Sequence, residues 1–141
     1  MSFDGADAIP LSHRLFAMPL DIGARLVQAI AAQDAAALAE CFASSVEFRA
    51  LTPPGFRERT GAVDAASLIS QWFGDSTELH LLDSQRNLVG DCLHLAYRFA
   101  GVEEGEDYVV EQHLFCVVDD GKIVHADLLC SGFRPPARTS G

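Results

Sequence analysis

The sequence has no C-x-x-C pair, no cluster of basic residues and no apolar run long enough to cross a membrane, and each absence removes a class of function. Its four cysteines, Cys41, Cys92, Cys116 and Cys130, sit singly inside apolar patterns and read as small core hydrophobes, not as metal ligands or a redox pair. Ten Lys and Arg stand against twenty Asp and Glu, a net charge of −10. Arg57, Arg59, Arg134 and Arg138 are too scattered to form the basic face that nucleic acid or an anionic membrane requires, so neither partner is expected. The start, Met1 to Asp7, is acidic and lacks the basic residues and apolar run of a secretory signal, which points to a reduced, cytoplasmic setting. What is present is apolar: 49% of 141 residues are hydrophobic, enough for one domain with its own core.

Residues 1–20 hold Gly5, Pro10 and Pro19 without a sustained period and are expected to be an arm. From Asp21, a plausible N-cap, Ile22, Leu26, Val27 and Ile30 recur at helical spacing; Asp34 begins a second short helix through Leu38 to Phe42. Alternation from Ser45 to Leu51 predicts a strand, stopped by a loop at Pro53-Pro54-Gly55; the loop Leu51 to Arg57 is either a lid or contact surface or only a strand end. A third helix follows Gly61 and Asp64, with a stripe of Ala65, Leu68, Ile69, Trp72 and Phe73 that ends at Gly74. The period then changes to two. Thr77 to Gln85, Asp91 to Ala100, Asp107 to Val118 and Lys122 to Phe133 are four strands of an antiparallel meander.

The last two strands carry the chain's strongest chemical signal. Asp119-Asp120-Gly121-Lys122 suits a type I turn closed by a glycine bulge, which sets Val118 opposite Lys122 and His113 directly opposite Asp127. Glu111 and His125 then share that face. A two-residue loop would instead send His113 and Asp127 to opposite faces, since strand side chains alternate. Apolar residues occupy both faces of the hairpin: Val109, Phe115, Val117, Ile123 and Leu129 on one, Val110, Leu114, Cys116, Val124, Ala126 and Leu128 on the other. Three helices cannot cover both, so a homodimer through the outer sheet face is predicted.

The element order, with Ala43-Ser-Ser-Val-Glu-Phe after the second helix, Arg59-Thr-Gly61 before the third and the Asp120-Gly-Lys-Ile hairpin, resembles the nuclear-transport-factor-2-like superfamily, and within it the SnoaL-like, polyketide-cyclase-type branch. The resemblance covers about residues 20 to 133. It implies a single domain over 21–133, followed by a tail over 134–141. The implied fold is a cone-shaped α+β one, with N-terminal helices packed on a strongly curved, mainly antiparallel sheet around an internal pocket. Trp72, Phe73 and Phe115 would then wall the pocket, or simply fill the core. In the cyclases a His on the penultimate strand and an Asp on the last face the pocket, and His113 and Asp127 match that arrangement. Epoxide hydrolases of this fold use an Asp/Arg/Asp set and ketosteroid isomerases a Tyr on the first helix; neither pattern is found here.

A carboxylate desolvated in such a pocket would have a raised pKa, so the expected catalytic pair is Asp127 as proton shuttle with His113 orienting it or polarising a carbonyl. The reaction would be an isomerisation, cyclisation or dehydration of a small apolar carbonyl compound without a cofactor. Tyr97 or Arg98, only one of which can face inward, would bind the substrate's polar end, with Glu111 and His125 nearby. Alternatively, Glu111 pairs with Arg98 across neighbouring strands and the His–Asp pair is structural. The two-His, two-carboxylate group has no recognised metal spacing, and no metal is predicted. The rival reading is a non-catalytic module that binds a small hydrophobic ligand or a protein partner.

Overall fold

The computed structural model describes the backbone of residues 11–136 and the side chains of residues 20–136, beginning with helix α1 (Leu11–Ala31). Its stripe of Ile22, Leu26, Val27 and Ile30 is buried, as the spacing predicts. The helix begins well before Asp21, so Asp21 lies inside it, and the expected arm is helical from Leu11 on. Pro19 hid this, because a proline lacks the N–H of a helical interior and reads as a stop. The rest of the arm, residues 1–10, and residues 137–141 of the tail lie outside the described residues.

Gln33 ends α1 in the left-handed conformation, with φ of 54°. The N–H groups of Gln33 and Asp34 return to the carbonyls of Ile30 and Ala29 at 2.9 and 3.0 Å, satisfying acceptors that the helix end leaves open. Asp34 then caps α2 (Ala35–Glu40): its Oδ1 accepts from the Ala37 N–H at 3.0 Å. Strand β1 (Phe42–Thr52) turns at Pro53-Pro54 into β2 (Gly55–Thr60), an exposed strand whose single apolar residue, Phe56, gives no alternation to read. Helix α3 (Ala62–Phe73) follows, burying Ala65, Leu68, Ile69 and Phe73. The meander is β3 (Thr77–Val89), β4 (Cys92–Glu103), β5 (Glu106–Asp119) and β6 (Lys122–Cys130).

These strands form one six-stranded sheet in the order β2-β1-β6-β5-β4-β3, antiparallel throughout except for the parallel β1–β6 pair. It is a curled, open sheet with the helices on its inner face. Phe48, Leu95, Phe99, Val110, Leu114 and Leu128 point inward and are at most 1% exposed, packed with Leu26, Leu38 and Ile69 from the helices. Burying each such side chain contributes about 1.5–3 kcal/mol, so this layer drives the fold. Among the described residues no helix is long and apolar enough to cross a membrane.

The β5–β6 turn differs from the expected one in two ways that nearly cancel. The loop has two residues, Asp120 and Gly121, with φ of 53° and 75°, between paired Asp119 and Lys122; both centres are left-handed, as in a type I′ turn. One step on, Val118 pairs with Ile123 but Val117 pairs with His125, leaving Val124 as a bulge. The short loop alone would have separated His113 from Asp127; the bulge returns them to one face, two positions out of step. His113 therefore lies opposite Leu129, and Asp127 opposite Phe115, which corrects the expected register. The two-residue loop, by setting Ile123 opposite Val118, also places Ile123 on the inner face, where it is fully buried.

Candidate functional site

The face that carries His113 and Asp127 is the outer one. On β5 the even-numbered Tyr108, Val110, Gln112, Leu114 and Cys116 are buried beneath the helices, while Glu111, His113, Phe115 and Val117 face away from them. The predicted pair thus lies on the far side of the sheet from any space enclosed by the cone, and its two members join separate networks. Asp127 accepts from Arg49 Nε at 2.7 Å and from a terminal nitrogen of Arg49 at 3.1 Å, with His125 Nε2 at 3.4 Å. The Arg49 hydrogen bonds hold its carboxyl below the usual range, against the raised value expected of a pocket acid.

His113 belongs to the second network. Its Nε2 donates to Glu111 Oε2 at 2.7 Å, leaving Nδ1 of the neutral ring to accept from His94 Nε2 at 3.0 Å. Arg98 donates through Nε and a terminal nitrogen to Glu111 Oε1 at 3.1 and 2.7 Å, so the cross-strand pairing of Glu111 with Arg98 is realised. Hydrogen bonds from His113 and then Arg98 depress the Glu111 pKa. Phe115 stacks on His94 at 4.8 Å between ring centres and is exposed on the outer face, outside the core and not in the wall of an internal pocket between sheet and helices. Between Arg98, Glu111 and His113 there is space of only about 110 Å³. Among the described residues no group of three or more His, Cys, Asp or Glu side chains is placed to hold a metal ion.

On the inner face, Tyr97 points inward and Arg98 outward, as alternation required. The Tyr97 hydroxyl donates to Gln112 Oε1 at 2.6 Å, and Gln112 Nε2 donates to Cys130 Sγ at 3.4 Å. Burial drives the Tyr97 pKa far above its ordinary value and lifts the Cys116 thiol to about 12, so neither ionises near neutrality. Tyr97 and Gln112 are sealed, but Cys130, half-buried at the end of β6, opens on a cavity of about 400 Å³ at the rim of the sheet.

That cavity is the candidate binding site. Pro53 and Pro54 of the β1–β2 turn, Trp72 of α3 and Phe133 beyond β6 give it apolar walls; Arg57 of β2 and Arg134 supply its cations. Gly132 allows the walls to close. Its φ is 89°, and a Cβ there would lie 2.8 Å from Pro53 Cγ. Phe133 is fixed edge-on by Tyr108 at 4.9 Å and Phe73 at 5.5 Å, and a backbone bridge between Val109 and Arg134 ties the segment to β5.

Of the residues singled out from the sequence, Trp72 alone lines this cavity. Phe73 is a core residue, buried to 2% exposure. Tyr97 stands behind Cys130; Arg98, Glu111, His113, Phe115, His125 and Asp127 all lie on the outer face. Cys130 and Phe133 were missed as site residues, and Pro53 and Arg57 stood out only within the loop Leu51 to Arg57, which reads from the sequence as a lid or contact surface or as a strand end. Each looked like a terminator, a stray charge or a core filler, and only the fold brings residues 53–57 together with residues 130–133.

No curated protein sequence matches the chain. Solved structures do. A provisionally named polyketide cyclase from Xanthomonas campestris pv. campestris is 22% identical, with a TM-score of 0.66 over 80% of this chain and 90% of that one. A nuclear-transport-factor-2-like protein from Burkholderia thailandensis is 20% identical, with a TM-score of 0.64 over 80% and 90% of the two chains. An epoxide hydrolase from M. tuberculosis is 14% identical, with a TM-score of 0.64 over 82% and 84%. At such identities the likeness shows the fold, and activities as different as these share it. The sequence also matches the model of the SnoaL-like domain over residues 24–126, most of the chain, and so the protein belongs to the SnoaL-like family.

Proposed function

We propose that this protein is a receptor for a small, largely apolar molecule held in the rim cavity. The observation that carries this reading is the cavity's lining: two prolines, a tryptophan and a phenylalanine around about 400 Å³, with no carboxylate or imidazole lining it among the described residues. Space of this size suits a small-molecule ligand. The groups suited to proton transfer are on the opposite face, paired with one another and facing outward.

One observation favours a second reading, acid/base catalysis of the isomerase, cyclase or dehydratase type. The chain His94–His113–Glu111 is a continuous set of hydrogen bonds able to pass a proton, with His113, not Asp127, at its centre. The two readings part in one experiment. Apolar ketones are incubated with the protein in D2O and followed by NMR for hours. Binding without deuterium entering next to the carbonyl is the expected result; exchange that His113→Gln abolishes would replace the receptor reading with the catalytic one.

The outer face also supports self-association. Leu51, Phe115, Val117 and Leu129 are exposed there on adjoining strands, and the nearby charges Arg49, Asp127, Arg98 and Glu111 are already paired within the chain. A surface that is apolar and internally neutralised fits a second copy of itself better than a charged partner. Sedimentation of the wild type should give a dimer at micromolar concentration, and Leu129→Glu a monomer. A wild-type monomer at that concentration would end the proposal.

A further inference from the structure

We infer that the ligand of the rim cavity carries a carboxylate, held by Arg57 and Arg134, at one end of an apolar body. The inference rests on the receptor reading and adds to it the chemistry of the ligand's polar end.

The argument begins with charge. The protein is strongly acidic, yet among the described residues the two charged side chains lining this cavity are both arginines. Four other arginines have partners within the chain: Arg49 and Arg98 each grip a carboxylate at 2.7 Å, and Arg59 and Arg86 donate to the backbone carbonyls of Glu58 and Leu20. Arg57 and Arg134 have no carboxylate within ion-pair distance among the described residues, in a chain with twice as many acidic as basic groups. They come from separate segments, Arg57 from β2 opposite Ala50, and Arg134 from the stretch after β6 that is tied to Val109. Two arginines brought to the wall of one largely apolar cavity from distant parts of the chain match an anion, and the planar donor fork of a guanidinium group matches a carboxylate.

The walls say what the anion is attached to. Trp72 and Phe133 offer flat apolar surfaces, and Pro53 and Pro54 close the side towards the β1–β2 turn. A neutral apolar ligand would leave both arginines without a role in binding. A free inorganic anion would leave the aromatic walls without one. An arylalkyl or alkyl carboxylate uses both.

Trp72 is the chain's single tryptophan, so its fluorescence reports on this cavity directly. The probes are 4-phenylbutyrate and 4-phenylbutan-1-ol, which share an apolar body and differ in charge. At low salt the acid should bind about tenfold more tightly than the alcohol, the difference should shrink at high salt, and in Arg57→Gln/Arg134→Gln the preference for the acid over the alcohol should be lost. The acid should also slow alkylation of Cys130 by iodoacetamide but not that of Cys92, which lies at the far end of β6's neighbouring hairpin. Equal binding of acid and alcohol by the wild type, at low and high salt alike, would overturn the carboxylate inference and leave the receptor reading standing. Binding of neither probe would overturn both. Tight binding of the acid without protection of Cys130 would place the ligand elsewhere and also overturn the inference. The salt and protection arms use the wild type, so they hold even if the double variant does not fold.

Discussion

Asp127 stands across the β5–β6 ladder from Phe115, and its carboxylate is gripped at both oxygens by Arg49 of β1, the parallel neighbour of β6. A carboxylate held in this way is a strut between strands and a poor proton carrier. Both side chains are substantially exposed, so the pair's contribution is the small one of a surface ion pair. Asp127→Asn should therefore lower stability by only about 0.5 kcal/mol, read as the urea midpoint, and leave the affinity for an apolar ligand at the rim unchanged. A loss of ligand binding would mean that the outer face takes part in the site.

The same two networks set a pH dependence. Hydrogen bonds from Arg49 lower the pKa of Asp127, and those from His113 and Arg98 lower that of Glu111. A carboxylate whose folded pKa lies below its unfolded one stabilises the fold fully above the unfolded value, about 4. That stabilisation is lost as pH falls through the lowered folded value. Wild type and Asp127→Asn/Glu111→Gln should thus differ in urea midpoint at pH 7 and converge as the pH drops below about 4. A gap that persists in acid would assign the difference to packing and not to charge.

The elements were readable wherever one residue type did one job. Asp34 caps a helix, Leu68, Ile69 and Phe73 make a stripe, and Leu93, Leu95, Tyr97 and Phe99 alternate with outward His94, Ala96 and Arg98. The register of the final hairpin was not readable, because Ile123 and Val124 are both apolar and β-branched. Nothing in that pair announces that the second is a bulge. Which hairpin face met the helices was hidden too, since both carry apolar residues and only the complete sheet decides. The rim cavity was furthest from view: Pro53, Trp72 and Phe133 are brought together by tertiary structure alone, and Trp72, though expected to wall a pocket, was grouped there with Phe73 and Phe115, which do not line this one.

The type I′ turn makes Gly121 the most sensitive position of the hairpin. Its φ of 75° follows Asp120 at 53°, and an added Cβ is disfavoured in that conformation by about 1–2 kcal/mol. Gly121→Ala should cost that much in chemical denaturation, while Asp120→Asn, which tolerates a positive φ, should be near neutral. Equal costs at the two positions would show that the loop is not this turn.

Gln112 answers for two partners at once. It accepts from the buried Tyr97 hydroxyl and donates to Cys130, and it is itself fully buried. Gln112→Leu would leave the phenol without an acceptor where water cannot reach, a loss of about 1–3 kcal/mol. Adding Tyr97→Phe removes the orphaned group, so the double variant should be more stable than Gln112→Leu alone. A thermodynamic cycle from urea unfolding measures the coupling; strictly additive single effects would mean that the hydrogen bond contributes nothing net.

Gly132 links the backbone to the candidate site most directly. Its φ of 89° is unfavourable for any side chain, and a Cβ there would meet Pro53 Cγ at 2.8 Å. Gly132→Ala thus imposes two separable penalties: a conformational one of about 1–2 kcal/mol and a steric one that pushes the Pro53 wall away. Pro53→Ala in the same chain removes the obstructing ring but leaves the conformation strained. The single variant should lose stability and bind apolar ligands more weakly by Trp72 fluorescence; the double variant should recover part of the stability without recovering affinity, since the proline wall is gone. Full ligand affinity in Gly132→Ala would show that the closure of Gly132 on Pro53 does not shape the site.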